Sequence, residues 1–381
     1  MKQFFFVTIF ISLLILESLS KKSTEKSNKL KNPPPYVRSG TIHVYVDKKT
    51  NRQKVNAILY HISTRTCLNF KFDSKKIKGK SGINIYKTSK QNSLKVSYSK
   101  KKPTLLKLKD YIFQNRSKLA FHIGRALGMI PEISRPDRDE YVKINWDNIK
   151  ESHKHYYQKT KNNYTYYKDV EFDFGSIMLF DASFGSKDET KPTYTFKINQ
   201  NFHKIHDPYY VLSHNDLKFL NGMYCRNHCS KNDCLNGGYY LRDCDSCECP
   251  FHFYGLKCGT PKYSIGNCLE KKEYIAEDFS QYFKHYDRTG KCSYHIKSNF
   301  KDKIKVIITK LQLPNSKCTS SDSYVDILYR NDKGTTGLTL CKSIEFLEFQ
   351  HESSEIFIFI NALKKNDSMH VNYKNDNFHP V

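Results

Sequence analysis

The sequence predicts an α+β chain in three parts: a two-lobed domain of mixed helices and strands, a small disulfide-rich module, and an all-β sandwich. Three observations predict it. Of the 12 cysteines among 381 residues, only Cys67 precedes position 225, seven crowd between Cys225 and Cys258, and four follow at Cys268, Cys292, Cys318 and Cys341. Such crowding among few apolar residues marks a module too small to hold itself by burial alone. Before it, strand and helix periodicities mix; after it, only strand periodicity recurs, at the spacing of a sandwich. The length likewise suits two or three domains.

The first 20 residues read as a secretory signal peptide, with the apolar run FFFVTIFISLLIL followed by small residues at Ser18 and Ser20. A membrane anchor is the competing reading, but the run is shorter than the roughly 18 to 20 apolar residues of a bilayer span, and Glu17 ends it. No later segment is apolar enough to span. The expectation is a secreted, extracellular protein without a transmembrane segment, in which an even cysteine count means disulfides. Asn115, Asn163 and Asn366 open Asn-x-Ser/Thr acceptors for N-glycosylation on that route.

Residues 21–36, KKSTEKSNKLKNPPPY, are charged and Pro-rich and are expected to form a short flexible leader. GTIHVYVD (40–47) alternates as a strand should. Val55, Ile58, Leu59 and Ile62 then fall on one helix face. TCLNFKF, INIYK and LKVSY return to strand character. A second helix carries Leu119, Ile123, Ala126 and Leu127 on one face, with Gly128 as its C-terminal stop. A long irregular half runs from there to Cys225.

The net charge of +25 invites a nucleic-acid reading. The lysines are spread along the whole chain without an aromatic-basic motif, and Lys, Asn, Ile, Phe and Tyr are overused together, as A+T-rich codons would produce. No nucleic-acid partner is expected. Matrix polyanions remain as weak partners of the basic surface.

CSKNDCLNGGYYLRDCDSCECPFHFYGLKC spaces six cysteines around an Asn-Gly-Gly turn and a Tyr-Gly hairpin. Spacing alone leaves 15 connectivities open, and CDSCEC also admits a zinc-knuckle reading, disfavoured by an oxidising compartment. The stretch 226–259 resembles an EGF-like domain. That resemblance implies the pairs Cys229 with Cys244, Cys234 with Cys247, and Cys249 with Cys258. From Cys268 on, CSYHIKS, KIKVIITKLQL, SYVDILYR and EIFIFINA alternate as strands, and 268–374 resembles a CUB domain. It implies Cys268 with Cys292 and Cys318 with Cys341. Some CUB domains bind calcium, and Asp322 and Asp326 are the candidate ligands, although solvated strand-edge carboxylates are the plainer reading.

The stretch PEISRPDRDEYVKINWDNI after Gly128 is similar to the pattern that follows the zinc motif in the astacin family of zinc metalloproteases. Glu132, Arg135, Asp137, Arg138, Asp139, Tyr141, Val142, Ile144, Trp146, Asn148 and Ile149 all match in one ungapped run. FDFGSIMLF resembles the family's Met-turn at Ser176, Ile177 and Met178, and LSHNDLKFLNGMYC the end of its peptidase domain. The resemblance covers nearly the whole chain in the order of the multi-domain nematode astacins, with the peptidase-like domain at 37–225. It implies a metzincin fold, a disulfide between Cys67 and Cys225, and zinc-dependent cleavage of extracellular proteins.

Metzincins hold zinc with H-E-x-x-H-x-x-G-x-x-H because two histidines one helical turn apart share a face, a third returns after a glycine turn, and the glutamate is the general base. Here the zinc-binding motif is degenerate. Aligned on Gly128, the ligand positions hold Phe121, Arg125 and Pro131, the general-base position holds His122, and Phe180 replaces the Met-turn tyrosine. Phe and Pro offer no donor atom and Arg stays cationic. The expectation is a pseudoenzyme with no catalytic residue, no bound cofactor, and binding of extracellular proteins or peptides as its remaining activity. The alternative is a working zinc metalloendopeptidase. Arg125 is expected to pair with Glu132 or with nearby carbonyls.

Overall fold

The structure is a computed structural model that describes Pro34 and residues 41–160, 169–197, 211–225, 228–229, 232–314, 321–348 and 352–376. The signal-peptide stretch, all of the leader except Pro34, Asn163, His203, His206 and Cys318 lie outside the described residues. None of the described helices is long and apolar enough to cross a membrane.

The first lobe is a five-stranded sheet packed by helices. Its strands are β1 (Thr41–Val46), β2 (Asn69–Phe72), β3 (Ile83–Lys87), β4 (Ser93–Lys95) and β5 (Thr104–Leu108), in the order β2-β1-β3-β5-β4. All pairings are parallel except that of β4 with β5. Helix α1 (Arg52–Arg65) starts where the Asn51 side chain accepts from the Lys54 N–H, and it buries the four residues the spacing selects, Val55, Ile58, Leu59 and Ile62. The expected LKVSY strand shrinks to the three residues of β4, and β5 was not anticipated: its TLLKL mixes apolar and basic residues too briefly to show a period. Helices α2 (Asp110–Gln114) and α3 (Arg116–Ala126) follow β5 and close the same core.

Among the described residues, the second lobe has little regular structure. Four 3-10 turns (Glu132–Ser134, Arg138–Glu140, Trp146–Asn148 and Glu151–Tyr157) and a ribbon of β6 (Val142–Ile144) with β7 (Tyr194–Phe196) surround a separate small core of Ile133, Val142, Ile149, Tyr157, Phe172, Phe174 and Tyr194. Helix α4 (His214–Cys225) returns to the first lobe, where Cys225 is bonded to Cys67.

Disulfides Cys229–Cys244, Cys234–Cys247 and Cys249–Cys258 staple the next segment, with two ribbons of β8 (Tyr239–Tyr240) with β9 (Cys247–Glu248) and β10 (Phe253–Tyr254) with β11 (Thr260–Pro261). The remainder is two sheets around one core. The first sheet runs β12 (Ile265–Gly266), β15 (Gly290–Ser298), β20 (Glu355–Ala362), β17 (Tyr324–Leu328), β18 (Leu338–Leu340), with β13 (Glu273–Ala276) also on β15. The second runs β14 (Gln281–His285), β21 (Ser368–Asp376), β16 (Lys303–Gln312), β19 (Leu347–Glu348). Cys268–Cys292 joins the entry of this region to β15.

Strand β20 is buried on both faces. Ile356, Ile358 and Ile360 enter the sandwich core, while Phe357 and Phe359 join Phe253, Cys247 and Cys258 of the stapled segment in a shared cluster. His252 stacks on Phe359 at 3.9 Å and bonds Asp326 at 2.5 Å. Thr339 donates to the other oxygen of Asp326 at 3.2 Å, so both oxygens of that carboxylate carry a hydrogen bond.

The loop after β17 docks the sandwich onto the second lobe. Arg330, only 2% exposed, pairs with Glu171 at 2.9 Å and Glu352 at 3.2 Å and donates to the Phe172 carbonyl. Its guanidinium lies 4.9 Å from the Tyr141 ring centroid. Asp332 binds Lys218 and Asn215 of α4, each at 3.1 Å, and the Thr336 N–H donates to Asp173 at 3.0 Å. The side chain of Thr336 packs so tightly over Gly175 that it leaves no room for a Cβ there. Removing one partner of a buried ion pair costs about 3–5 kcal/mol, so Arg330→Ala is expected to lower the unfolding midpoint and loosen the sandwich from the second lobe. Denaturant unfolding together with limited proteolysis between residues 225 and 268 checks this, and an unchanged midpoint would contradict the docking role.

Candidate functional site

Helix α3 is built to a defined stop. Asn115 caps its start by accepting from the Lys118 N–H at 2.8 Å. At its end the Gly128 N–H bonds the Arg125 carbonyl and the Met129 N–H bonds the Gly124 carbonyl, both at 3.0 Å, which is a Schellman closure requiring a left-handed residue. Gly128 supplies it at φ +97°, and a Cβ there would strike Pro34 at 2.6 Å. Pro34 is therefore seated against the helix end. Gly124 also has no room to spare, facing the sulfurs of Met129 and Met178 at 3.0 and 3.1 Å from its ideal Cβ.

One edge of α3 presents Phe121, His122 and Arg125, all half-buried, and the chain turns back through buried Pro131. The Phe121 and Phe180 rings meet at 5.4 Å between centroids. Phe180 stacks on Phe184 at 4.6 Å, and Tyr156 lies against both at 6.2 and 5.4 Å. His153 meets Phe184 edge-on at 5.3 Å, and His155 sits on Tyr156 at 3.9 Å. An aromatic wall thus stands beside the helix edge. His122 touches Phe121 at 5.3 Å. Burial first, and then the charge of Arg125, push its pKa down to about 4, so the imidazole is neutral at physiological pH. Among the described residues, no group of three or more His, Cys, Asp and Glu side chains is placed to hold a metal ion.

The charged cluster after Gly128 is largely interior. Arg135, 1% exposed, forks onto Asp137 at 2.7 and 2.8 Å, reaches Glu132 at 3.4 Å and donates to the Val170 carbonyl at 3.0 Å. Arg138 holds the Ile133 carbonyl at 2.6 Å, the Tyr157 carbonyl and Asp139. These two guanidiniums tie the returning loop to the 3-10 turn at Glu151–Tyr157 and to the chain at Val170. Glu132 accepts from Arg135 and from the Asp173 N–H at 3.2 Å, and its own N–H donates to the Met178 carbonyl at 3.0 Å.

Asp216 holds the Met-turn. It accepts from the Ser176 hydroxyl at 2.5 Å, the Ile177 N–H at 3.0 Å and the Ser213 N–H at 2.9 Å, while the Asp216 N–H bonds the Ser213 side chain. The reciprocal Ser213–Asp216 bonds form a capping box at the start of α4. Sequence reading overlooked Asp216, Tyr156 and Phe184. The Ser213-x-x-Asp216 spacing was a usable signal for the first; the aromatic pair gave none.

Burial pushes Glu132 up to about 8, against the opposing charge of Arg135, whose guanidinium is already committed to Asp137; nearby Asp173 and Asp216 add to the rise. Asp216 is pushed up to about 6, again by burial first and then by Asp173. A carboxyl with a raised folded pKa binds more protons folded than unfolded, so stability falls as pH rises between the two values. Between about pH 6.5 and 8 Glu132 lowers stability as pH rises, at up to about 1.4 kcal/mol per pH unit, while His122, His214, His285 and Lys333, whose pKa values burial lowers, act in the opposite direction. The thermal midpoint of Glu132→Gln is therefore expected to rise relative to that of the unmodified chain as pH goes from 6.5 to 8. An equal slope in that variant would refute the assignment.

Comparison with known proteins matches this architecture to a family. The chain is 30% identical over 203 residues to protein SpAN of Strongylocentrotus purpuratus, covering 51% of this chain and 32% of that protein. It is 36% identical over 143 residues to the zinc metalloproteinase dpy-31 of Haemonchus contortus, covering 37% and 26%, and 29% identical over 241 residues to the zinc metalloproteinase nas-34 of Caenorhabditis elegans, covering 62% and 39%. The chain thus spans well under half the length of these relatives. The hatching enzyme zinc-protease HCE-1 of Oryzias latipes aligns in structure with a TM-score of 0.42 at 20% identity, over 49% of this chain and 89% of that one. Residues 35–225 match the model of the Astacin peptidase family, and the chain belongs to that family.

Proposed function

We propose that this chain is a secreted, catalytically inactive astacin whose remaining activity is binding of extracellular proteins or peptides. The observation that carries the reading is the contact of Phe121 with Phe180 at 5.4 Å, between the first ligand position and the Met-turn position of the family motif. With Arg125 and Pro131 at the other two ligand positions, the donor set offers no neutral nitrogen, thiolate or carboxylate. Zinc does not fit these residues. His122 at the general-base position is the one imidazole, and a single imidazole does not hold zinc.

The frame around the lost centre supports a binding role. Edge strand β4 lies alongside α3 and leaves one row of backbone N–H and C=O groups for an extended peptide to pair with. The aromatic wall of Phe121, Phe180, Phe184 and Tyr156 then offers apolar surface to its side chains. The stapled segment is read as an EGF-like domain at 226–259 and the sandwich as a CUB domain at 268–374, following the peptidase-like domain at 37–225. Asn115 and Asn366 are exposed and suit N-glycosylation, and the disulfides suit an extracellular location.

The second reading, a zinc-dependent metalloendopeptidase, rests on the names of the relatives. Metal analysis and peptide hydrolysis separate the two. The purified chain is expected to carry less than about 0.1 zinc per molecule and to show no chelator-sensitive cleavage. The fourfold variant Phe121→His, His122→Glu, Arg125→His, Pro131→His restores the ligand set and is expected to take up about one zinc, as in a three-ligand catalytic site. One tightly held zinc with chelator-sensitive hydrolysis in the unmodified chain would overturn the proposal.

A further inference from the structure

The outer face of the second sandwich sheet carries a set of cations that register, rather than composition, brings together. In β14, β21 and β16 the inward residues are Phe283, His285, Met369, Val371, Tyr373, Ile304, Val306 and Ile308, so their neighbours face out. The pairing sets Lys284 opposite His370 and Lys310 opposite the same His370, giving a row of three basic side chains across three adjacent strands. Four residues further along β21, Lys374 stands opposite Lys305. The row between them is Tyr282, Asn372 and Ile307.

Like charges directly opposite on neighbouring strands are destabilising, by roughly 0.2–1 kcal/mol per pair. The sheet fixes where each stands: Lys284 and Lys310 flank His370 on the two strands beside β21, and Lys374 lies four residues along β21 from that row. Glu348 neutralises Lys305 at 2.6 Å, and Asp376 stands opposite Lys303. Among the described residues, Lys284, Lys310 and Lys374 have no carboxylate at ion-pair distance, and all three are exposed. The His370 imidazole registers the convergence: partial burial, and then the charges of Lys284 and Lys310, lower its pKa.

We propose that this face binds a linear sulfated polysaccharide, with Lys284, Lys310 and Lys374 as the sulfate-binding residues. The complement of a flat face with separated rows of ammonium groups is a flexible polymer carrying sulfates along its length. Tyr282, 69% exposed beside Lys284, presents a ring face on which a sugar ring can lie, and Asn372 in the same row offers an amide to sugar hydroxyls. Nucleic acid is disfavoured by the oxidising compartment that the disulfides require. This site is independent of what the peptidase-like cleft binds or whether that cleft holds metal.

The test uses the full chain on immobilised heparin with a salt gradient. Lys284→Glu, Lys310→Glu and Lys374→Glu together are expected to lower heparin affinity about tenfold or more and to flatten its salt dependence, since fewer counterions are released on binding. A control with the same charge change at exposed, scattered sites, Lys48→Glu, Lys143→Glu and Lys187→Glu, is expected to keep at least half the affinity. Equal loss in both variants would overturn the proposal, as would unchanged binding in the first. Equally tight binding of double-stranded DNA, or of phosphatidylserine vesicles through the same three lysines, would assign the face to a different partner and overturn it too. Lysine acylation of the unmodified protein with and without heparin gives a reading that does not depend on variant folding. Protection of Lys284, Lys310 and Lys374 is expected; their full labelling in the presence of saturating heparin would refute the site.

Discussion

A guanidinium taken out of water must find counter-charges and acceptors wherever the chain can bring them, and three such groups organise the second lobe. Arg135 and Arg138 gather the loop after α3, the 3-10 turn ending at Tyr157 and the chain at Val170. Arg330 arrives from the sandwich and closes on Glu171, Glu352 and the Phe172 carbonyl. Among its described residues the lobe has too little regular backbone pairing to stand on ladder hydrogen bonds. Its 3-10 turns are held in place largely by charged side chains reaching to carbonyls, and its small aromatic core fills the space they enclose.

Such bonds hold the frame around the proposed former metal centre without calling on a metal. The Met-turn is held from below by Asp216 and Glu132, the helix end by Gly128, and the returning loop by Arg135 and Arg138. None of these groups needs an ion to be satisfied. On the proposed reading, with a helix edge, an edge strand and a turn kept in register, Phe121 and Phe180 put ring contact where the family has coordinate bonds, and the cost of an unfilled polar pocket is avoided.

Much of the fold was legible because its periods were long enough to read. Val55, Ile58, Leu59 and Ile62 announced a helix whose buried face is those four residues, and the four alternating segments of the sandwich became β15, β16, β17 and β20. The 3-10 turns were not legible, since their positions are set by Arg135 and Arg138 and leave no hydrophobic repeat. Arg330 and Asp332 looked like ordinary loop residues, because their partners at Glu171 and Lys218 are distant in sequence. At the site, residue identities gave the composition, with Phe121, Arg125, Pro131 and Phe180 at the positions aligned on Gly128. That Phe121 would meet Phe180, and that Tyr156 and Phe184 would extend the wall, depended on tertiary packing.

The two-sided burial of β20 bears on how the chain is divided for expression. EIFIFINA has no solvent face, since the isoleucines serve the sandwich and Phe357 and Phe359 serve the stapled segment. A sandwich produced without residues 228–261 would present Phe357, Phe359 and Leu328 to water as one contiguous apolar strip, a surface that invites self-association. The boundary suggested by cysteine spacing is thus a boundary of covalent staples and not of solubility. Fragments that keep the two parts together are the ones whose behaviour in solution will reflect the intact protein.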